Sequence, residues 1–310
     1  MIDIFDDYII NPTLEVTPSI KISPFCESNL KHKTSSIDED LVNNYLNNRF
    51  GSNWTFTIKA RDAISLALSH YQLCKDDIVT IFTTSNNFYI SSCVTKEIEK
   101  YCKWDRVITK NTKIIFVNHE FGFPYSNLSE LKKYKLPIIE DCAHSFLSVD
   151  SDSQTGKIGD FVIYSLPKFF PMQIGGILVS NKHKINKNEQ KLSYNISQHI
   201  YTHLSLNIPF IDSFCERRLK NHSYLASALS EIEIIPRFSI SNGVYPGVFL
   251  FSWKENIDYN KLKCFMQQNG VESSVFYGEN AFFIPTHHNL NPIHLEYIVS
   301  LLKYYYNAFC

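Results

Sequence analysis

The stretch "PIIEDCAHSF", Pro137–Phe146, decides how the rest of the chain is read. An apolar run, Pro137-Ile138-Ile139, carries straight into two acids, Glu140 and Asp141, and then into a cysteine, an alanine and a histidine. A short apolar run of that kind predicts a buried strand. Carboxylates at the end of a buried strand are costly unless something pairs with them. Neighbours on a strand point to opposite faces, so the two acids have different surroundings. Glu140 is expected to make a structural pair, which leaves Asp141 in want of a partner.

Working outward, the preceding segments alternate between strand and helix patterns. "DEDLVNNYLNNRF" (38–50) opens on acids suited to a helix N-terminus. "NWTFTIKA" (53–60) alternates like a short strand, and "RDAISLALSHYQL" (61–73) places Ala63, Ile64, Ala67, Leu68 and Tyr71 on one helical face. "DDIVTIF" (76–82) predicts a strand and "NNFYISSCVTKEIEKY" (86–101) a helix. "TKIIFVNHE" (112–120) predicts a buried strand, and "NLSELKKYK" (127–135) a helix capped by Asn127 or Ser126. Such alternation implies an α/β fold with a mostly parallel sheet and helices on both faces. Ligands in such sheets bind beyond the carboxyl ends of the strands. Three ends therefore matter: after Thr57, after Phe82 and at Glu140–Asp141.

Beyond Asp141, "TGKIGDFVIYSL" (155–166) predicts a turn and a strand. "GGILVSN" (175–181) follows across the short "PKFFPMQI" connection and is expected to run antiparallel to it. Residues 185–230 read as helices, and the remainder mixes strands such as "VFLFSW" with helices such as "LEYIVSLLKYYYNAF". The expected organisation is an irregular segment over 1–35, a large domain over 36–230 and a smaller α+β C-terminal domain over 231–310.

Bulk properties narrow the function classes. The 310 residues carry a net charge of −1, so no basic field argues for nucleic acid or an anionic membrane. No apolar run approaches the roughly 20 residues a membrane span needs. The opening "MIDIFDDYII" is acidic where a secretory signal is basic, and the eight cysteines include no Cys-x-x-Cys pair. Free thiols in a reducing cytoplasm are expected, and no metal site: His119 with Glu120, and His287 with His288, lack further ligands at sensible spacing.

Lys168, in "YSLPKFFPMQIGG", sits among prolines and aromatics. An apolar setting lowers a lysine's pKa and makes it a better amine nucleophile. Alone, it reads as simply as a surface lysine whose stem packs on rings. Asp141 changes the weight. Pyridoxal phosphate (PLP) needs a lysine to hold it, a carboxylate to keep the pyridine nitrogen protonated, and phosphate donors at a helix N-terminus. Ser165 stands three residues before Lys168, and "KARD" (59–62) opens a helix.

Taken together, "EDCAH" (140–144), "IGD" (158–160), "FVIYS" (161–165), Lys168 and "GG" (175–176) resemble, in that order, the pattern of the DegT/DnrJ/EryC1/StrS family of PLP-dependent sugar aminotransferases. "FVNHEFGFP" (116–124) resembles the family's His-x-x-Gly-x-Pro turn. "ARDAISLAL" (60–68) resembles its Gly-Thr-x-Ala-Leu helix start, and "IPTHHNL" (284–290) its Leu-Pro-x-His loop.

The resemblance implies the aspartate-aminotransferase type of fold (PLP transferase fold type I), with a large mostly parallel domain and a smaller α+β one. It implies pyridoxal 5′-phosphate held by Lys168, with Asp141 on the ring nitrogen, His144 near the ring, Ser165 on the phosphate, and Ala60 and Arg61 in place of Gly-Thr. It implies Phe88 stacked on the ring, and Asn195 lent to a partner subunit's phosphate in a homodimer. The implied activity is transamination of a nucleotide-linked keto-sugar, with glutamate as donor, in amino-sugar or surface-polysaccharide synthesis in the cytoplasm. The alternatives are a dehydratase-like relative and a non-catalytic relative that keeps the scaffold. Two departures bear on the second: Ala60–Arg61 replaces Gly-Thr, and Ser165 precedes Lys168 by three residues where the family has five.

Overall fold

The computed structural model describes residues 18–26, 29, 37–185, 192–254 and 257–309. Most of the expected N-terminal segment lies outside them. The described residues form two compact units. One comprises Phe25–Ile211 with Ser241–Tyr245, and the other 18–24, Asp212–Ile240 and 246–309.

The larger unit runs α1 (Glu39–Phe50), β1 (Trp54–Thr57), α2 (Ala60–Ser69), β2 (Ile78–Thr83), α3 (Ser92–Ile98), β3 (Lys103–Asp105), β4 (Thr112–Asn118), β5 (Ile138–Asp141), β6 (Phe161–Ser165), β7 (Gly176–Ser180) and α4 (Tyr194–Asn207). Its seven strands are ordered β1-β7-β6-β5-β4-β2-β3. Strands β3, β2, β4, β5 and β6 pair in parallel. Strand β7 is antiparallel to both β6 and β1, because the short link from β6 leaves no room for a crossover.

Alternation sorts the strand residues between two cores. Ile114, Phe116, Ile139, Phe161, Ile163 and Leu178 pack under α2 and α3. Ile115, Val117 and Ile138 face the other way, against Leu128, Leu131 and Ile158.

Two helices differ from expectation. Residues Leu128–Tyr134 wind as a 3₁₀ helix between Asn127 and Lys135, both left-handed at φ 59° and 54°. Those turns close the segment at each end, and its seven residues make a long run for the tighter 3₁₀ winding. Asn127 makes no side-chain cap. Helix α3 is shorter than the pattern suggested: Ser91 Oγ accepts the Cys93 N–H and starts the helix there, so 86–90 remain a loop.

The smaller unit contains α5 (Ile211–Leu229, of which all but Ile211 lie in it), β8 (Ile234–Pro236), β9 (Val248–Trp253), α6 (Tyr259–Gln268), β10 (Ser274–Phe276), β11 (Ala281–Pro285) and α7 (Pro292–Phe309). Its sheet, ordered β10-β11-β9-β8, is antiparallel throughout. Leu225, Phe251, Leu262, Phe282, Ile298 and Leu302 share its core. Among the described residues no helix is long and apolar enough to cross a membrane.

Candidate active site

The same alternation that builds the core aims the site. Asp141 continues the Ile139 face of β5, and Ser165 the Ile163 face of β6, so both point to the side covered by α2 and α3. Strand β7 runs the other way, so its first residue, Gly176, lies at the same edge, opposite Ser165 and Thr57. Gly176 has a steric reason to be glycine. A Cβ there would lie 2.4 Å from Thr57 Oγ1 and 2.8 Å from the Ala60 nitrogen. The bare backbone lets α2 begin directly against β7, whose Gly176 pairs with Ser165; in that first turn the Asp62 N–H donates to the Lys59 carbonyl at 3.0 Å.

The two acids of the opening stretch have opposite surroundings. Glu140 is fully buried and fully engaged. Its Oε1 accepts the Ile158 and Gly159 N–H groups at 3.0 and 2.6 Å, and its Oε2 accepts the Gly156 N–H at 2.7 Å. His119 Nδ1 accepts the Tyr125 N–H at 2.9 Å, which assigns its proton to Nε2. Nε2 then donates to Glu140 Oε2 at 3.1 Å. Cys142 completes a trio whose donor atoms lie within 4.8 Å of one another. With Nε2 protonated and the carboxylate taking three amides, the trio reads as a hydrogen-bonded anchor for the 156–159 turn.

Asp141, only 6 % exposed, accepts the Ala143 N–H at 2.9 Å. Burial pushes its carboxyl pKa upward. The Ala143 amide and the charge of Lys168 pull it back.

Lys168 closes the short turn Leu166–Lys168 that follows β6, with Pro167 fixing the backbone. Its Nζ stands 2.5 Å from His144 Nε2. Crowding around the amine pulls its pKa below the usual lysine value, against the opposing influence of Asp141 and then Cys93. The residue as a whole remains exposed, so solvent moderates that pull. His144 is half-buried, with the Phe121 ring 5.4 Å away. Phe121 holds a left-handed φ of 53°, unusual for a bulky residue, ahead of Gly122 at 92°.

Ser165 is nearly buried, and its hydroxyl is not spent capping the following turn. Ala60 and Arg61 are the first two residues of α2. Arg61 Nη2 donates to Cys93 Sγ at 3.0 Å. The fold thus gathers Asp141, His144, Ser165, Lys168, Ala60 and Arg61 at one edge of the sheet.

The other two expected residues are exposed. Phe88 is 71 % exposed on the loop after β2. Asn195 is exposed on the first turn of α4, whose neighbouring side chains bond to α1 through Gln198–Glu39 and Tyr201–Asn43. His287 lies in the smaller unit. It donates Nε2–H to the Lys21 carbonyl, and burial brings its pKa down to about 3.

Comparisons with known proteins bear on the fold. The model of the DegT/DnrJ/EryC1/StrS aminotransferase family matches residues 100–203. The chain resembles these aminotransferases. No curated protein matches it. Among solved structures, the PLP form of Spr1654 from Streptococcus pneumoniae is 14 % identical, with a TM-score of 0.71 over 95 % of this chain and 99 % of that one. NtdA from Bacillus subtilis, with bound PMP, is 14 % identical at a TM-score of 0.70, over 97 % and 87 %. The sugar aminotransferase CalS13 from Micromonospora echinospora is 14 % identical at 0.65, over 93 % and 100 %. At these identities the likeness carries the fold, which is the aspartate-aminotransferase type. Residues 100–203 include Asp141, His144, Ser165, Lys168 and Asn195, but not Ala60, Arg61 or Phe88.

Three further residues of the site were not assigned from sequence. Phe121 and His119 sit in the "FVNHEFGFP" turn, which carries the family resemblance but says nothing of their partners. Cys93 gave no signal: its neighbour Arg61 is remote in sequence, and only the packing of α2 beside α3 joins them.

Proposed function

We propose that the protein is a PLP-dependent aminotransferase. It moves an amino group from an amino acid, glutamate by preference, to the keto group of a nucleotide-linked sugar, in cytoplasmic synthesis of an amino sugar or surface polysaccharide. The observation that carries this reading is the placement of Lys168 and Asp141 at one sheet edge beside Ser165 and the start of α2. The donor set suits the cofactor. Buried Asp141 wants a cationic partner, Lys168 is a lysine with a lowered pKa, and Ser165 with the first turn of α2 can meet a phosphate.

When bound, pyridoxal phosphate supplies an electron sink for removing a proton from the carbon that bears the amino group. The protein's residues do the rest. Lys168 Nζ would hold the cofactor and would move the proton at the reacting carbon. Asp141 holds the ring nitrogen protonated. His144 Nε2, 2.5 Å from Nζ, would keep the lysine amine in position. Ser165, Ala60 and Arg61 meet the phosphate, Phe88 covers the ring, and Asn195 serves the partner subunit of a homodimer.

The test is to add PLP to the purified protein and to Lys168→Ala, then offer keto-sugar nucleotides and follow glutamate conversion. Turnover that needs Lys168 supports the reading. A protein that takes up PLP but aminates no sugar overturns the sugar assignment alone. One that takes up no PLP favours the non-catalytic scaffold, the reading to which Ala60–Arg61 and the short Ser165–Lys168 spacing lend weight.

A further inference from the structure

The first turn of α2 and the first turn of α3 are joined at their side chains. Arg61, second in α2, donates from Nη2 to the Sγ of Cys93, second in α3, at 3.0 Å. The Cys93 backbone is pinned by Ser91 Oγ, which accepts its N–H at 3.3 Å. The thiol is exposed.

Sulfur is a weak acceptor, so the contact gives the guanidinium a direction without neutralising it. A carboxylate in that place would pair with the charge. Cys93 takes one N–H, and arginine carries five, in a fork suited to phosphate. Gly176, paired with Ser165, holds the same helix start hard against β7. The thiol also bears electrostatically on Lys168.

We propose that Cys93 is a positioning residue of the cofactor site: its thiol aims Arg61 at the phosphate of pyridoxal phosphate, and the bound phosphate covers that thiol. The inference rests on the PLP reading above. It explains how a chain with Ala60–Arg61 at this helix start grips a phosphate. The serine–lysine turn is short, and an arginine held from the side replaces donors that turn no longer supplies.

The experiment measures alkylation of the full-length protein by iodoacetamide, resolved by peptide mass. It is run alone, with pyridoxal 5′-phosphate, and with pyridoxal, which lacks the phosphate. Exposed Cys74 and Cys264 are internal controls. The phosphate ester is expected to slow Cys93 alkylation about tenfold or more, and pyridoxal to do little, while Cys74 and Cys264 do not respond.

In parallel, Cys93→Ala should cut the preference for pyridoxal 5′-phosphate over pyridoxal about tenfold, and Cys93→Ser should recover part of it. A merely structural cysteine would leave that ratio unchanged. Uptake of PLP with unchanged Cys93 alkylation and an unchanged ratio in Cys93→Ala overturns this inference and spares the PLP reading. A protein that takes up no PLP overturns both.

Discussion

Lys168 Nζ lies 2.5 Å from His144 Nε2, while the charge of Asp141 bears on the same amine. An amine in crowded surroundings resists protonation, and an adjacent carboxylate favours it; here the first wins. In cofactor-free protein, the amine of Lys168 should therefore acylate with a pKa below the ordinary lysine value of 10.5. Asp141→Asn removes an influence that raises the pKa, so it should move that value lower still. Acylation of the Lys168 peptide, followed by mass spectrometry across pH, checks both. An upward move in Asp141→Asn contradicts the assignment.

Adjacent acids should give opposite phenotypes. Glu140→Ala strands three buried amides and the His119 N–H, and should destabilise the larger unit by about 3–5 kcal/mol. Asp141 has its pKa raised by burial, so its favourable contribution is complete only below the unfolded value of 3.8 and is lost as pH rises through the folded value. At neutral pH, Asp141→Asn should thus leave the melting temperature unchanged or higher, yet abolish cofactor retention. Thermal melts beside PLP titrations test the pair. Equal destabilisation by both substitutions would contradict it.

Gly176→Ala places a methyl within 2.8 Å of the Ala60 nitrogen, backbone that cannot swing aside as a side chain can. The start of α2 must shift. We expect a loss of about 1–3 kcal/mol in denaturant unfolding together with much weaker PLP binding. Weak binding with native stability would place the effect on the cofactor rather than on the packing of α2.

His222, buried in the smaller unit with its ring 4.9 Å from that of Phe249, has its pKa lowered to about 4 by burial. The unfolded chain takes up a proton near pH 6.5, the folded one only near 4, so the unfolded state binds more protons between them. Stability should fall as pH drops through that window, by up to about 3 kcal/mol from this group. His222→Leu should flatten the slope of unfolding free energy against pH. An unchanged slope removes His222 as its source.

Much of this was legible in the chain because periodicity and burial are local signals. The apolar runs of β4 and β5 mark buried strands, and the alternation of strand and helix patterns gives the sheet. The short run between Ser165 and Gly176 gives the antiparallel return of β7. Short pieces without a period were not legible. The three-residue β3 and β8 are defined by their partners, and α3 is cut short by a serine cap that no repeat announces.

The site divides in the same way. Asp141 and Lys168 follow from chemistry, since an acid ending a buried strand and a lysine among aromatics each ask for a partner. The contacts Arg61–Cys93, Phe121–His144 and His119–Glu140 are made between elements, so only the folded chain displays them.

The central claim is that Lys168 holds pyridoxal phosphate against Asp141. The direct measurement is borohydride reduction of the protein after PLP addition, followed by peptide mapping. The protein should be yellow and lose its colour on reduction, with the cofactor's mass fixed to the peptide containing Lys168 and absent from Lys168→Ala. A colourless protein, or cofactor fixed to another lysine with Lys168 unmodified, would contradict it.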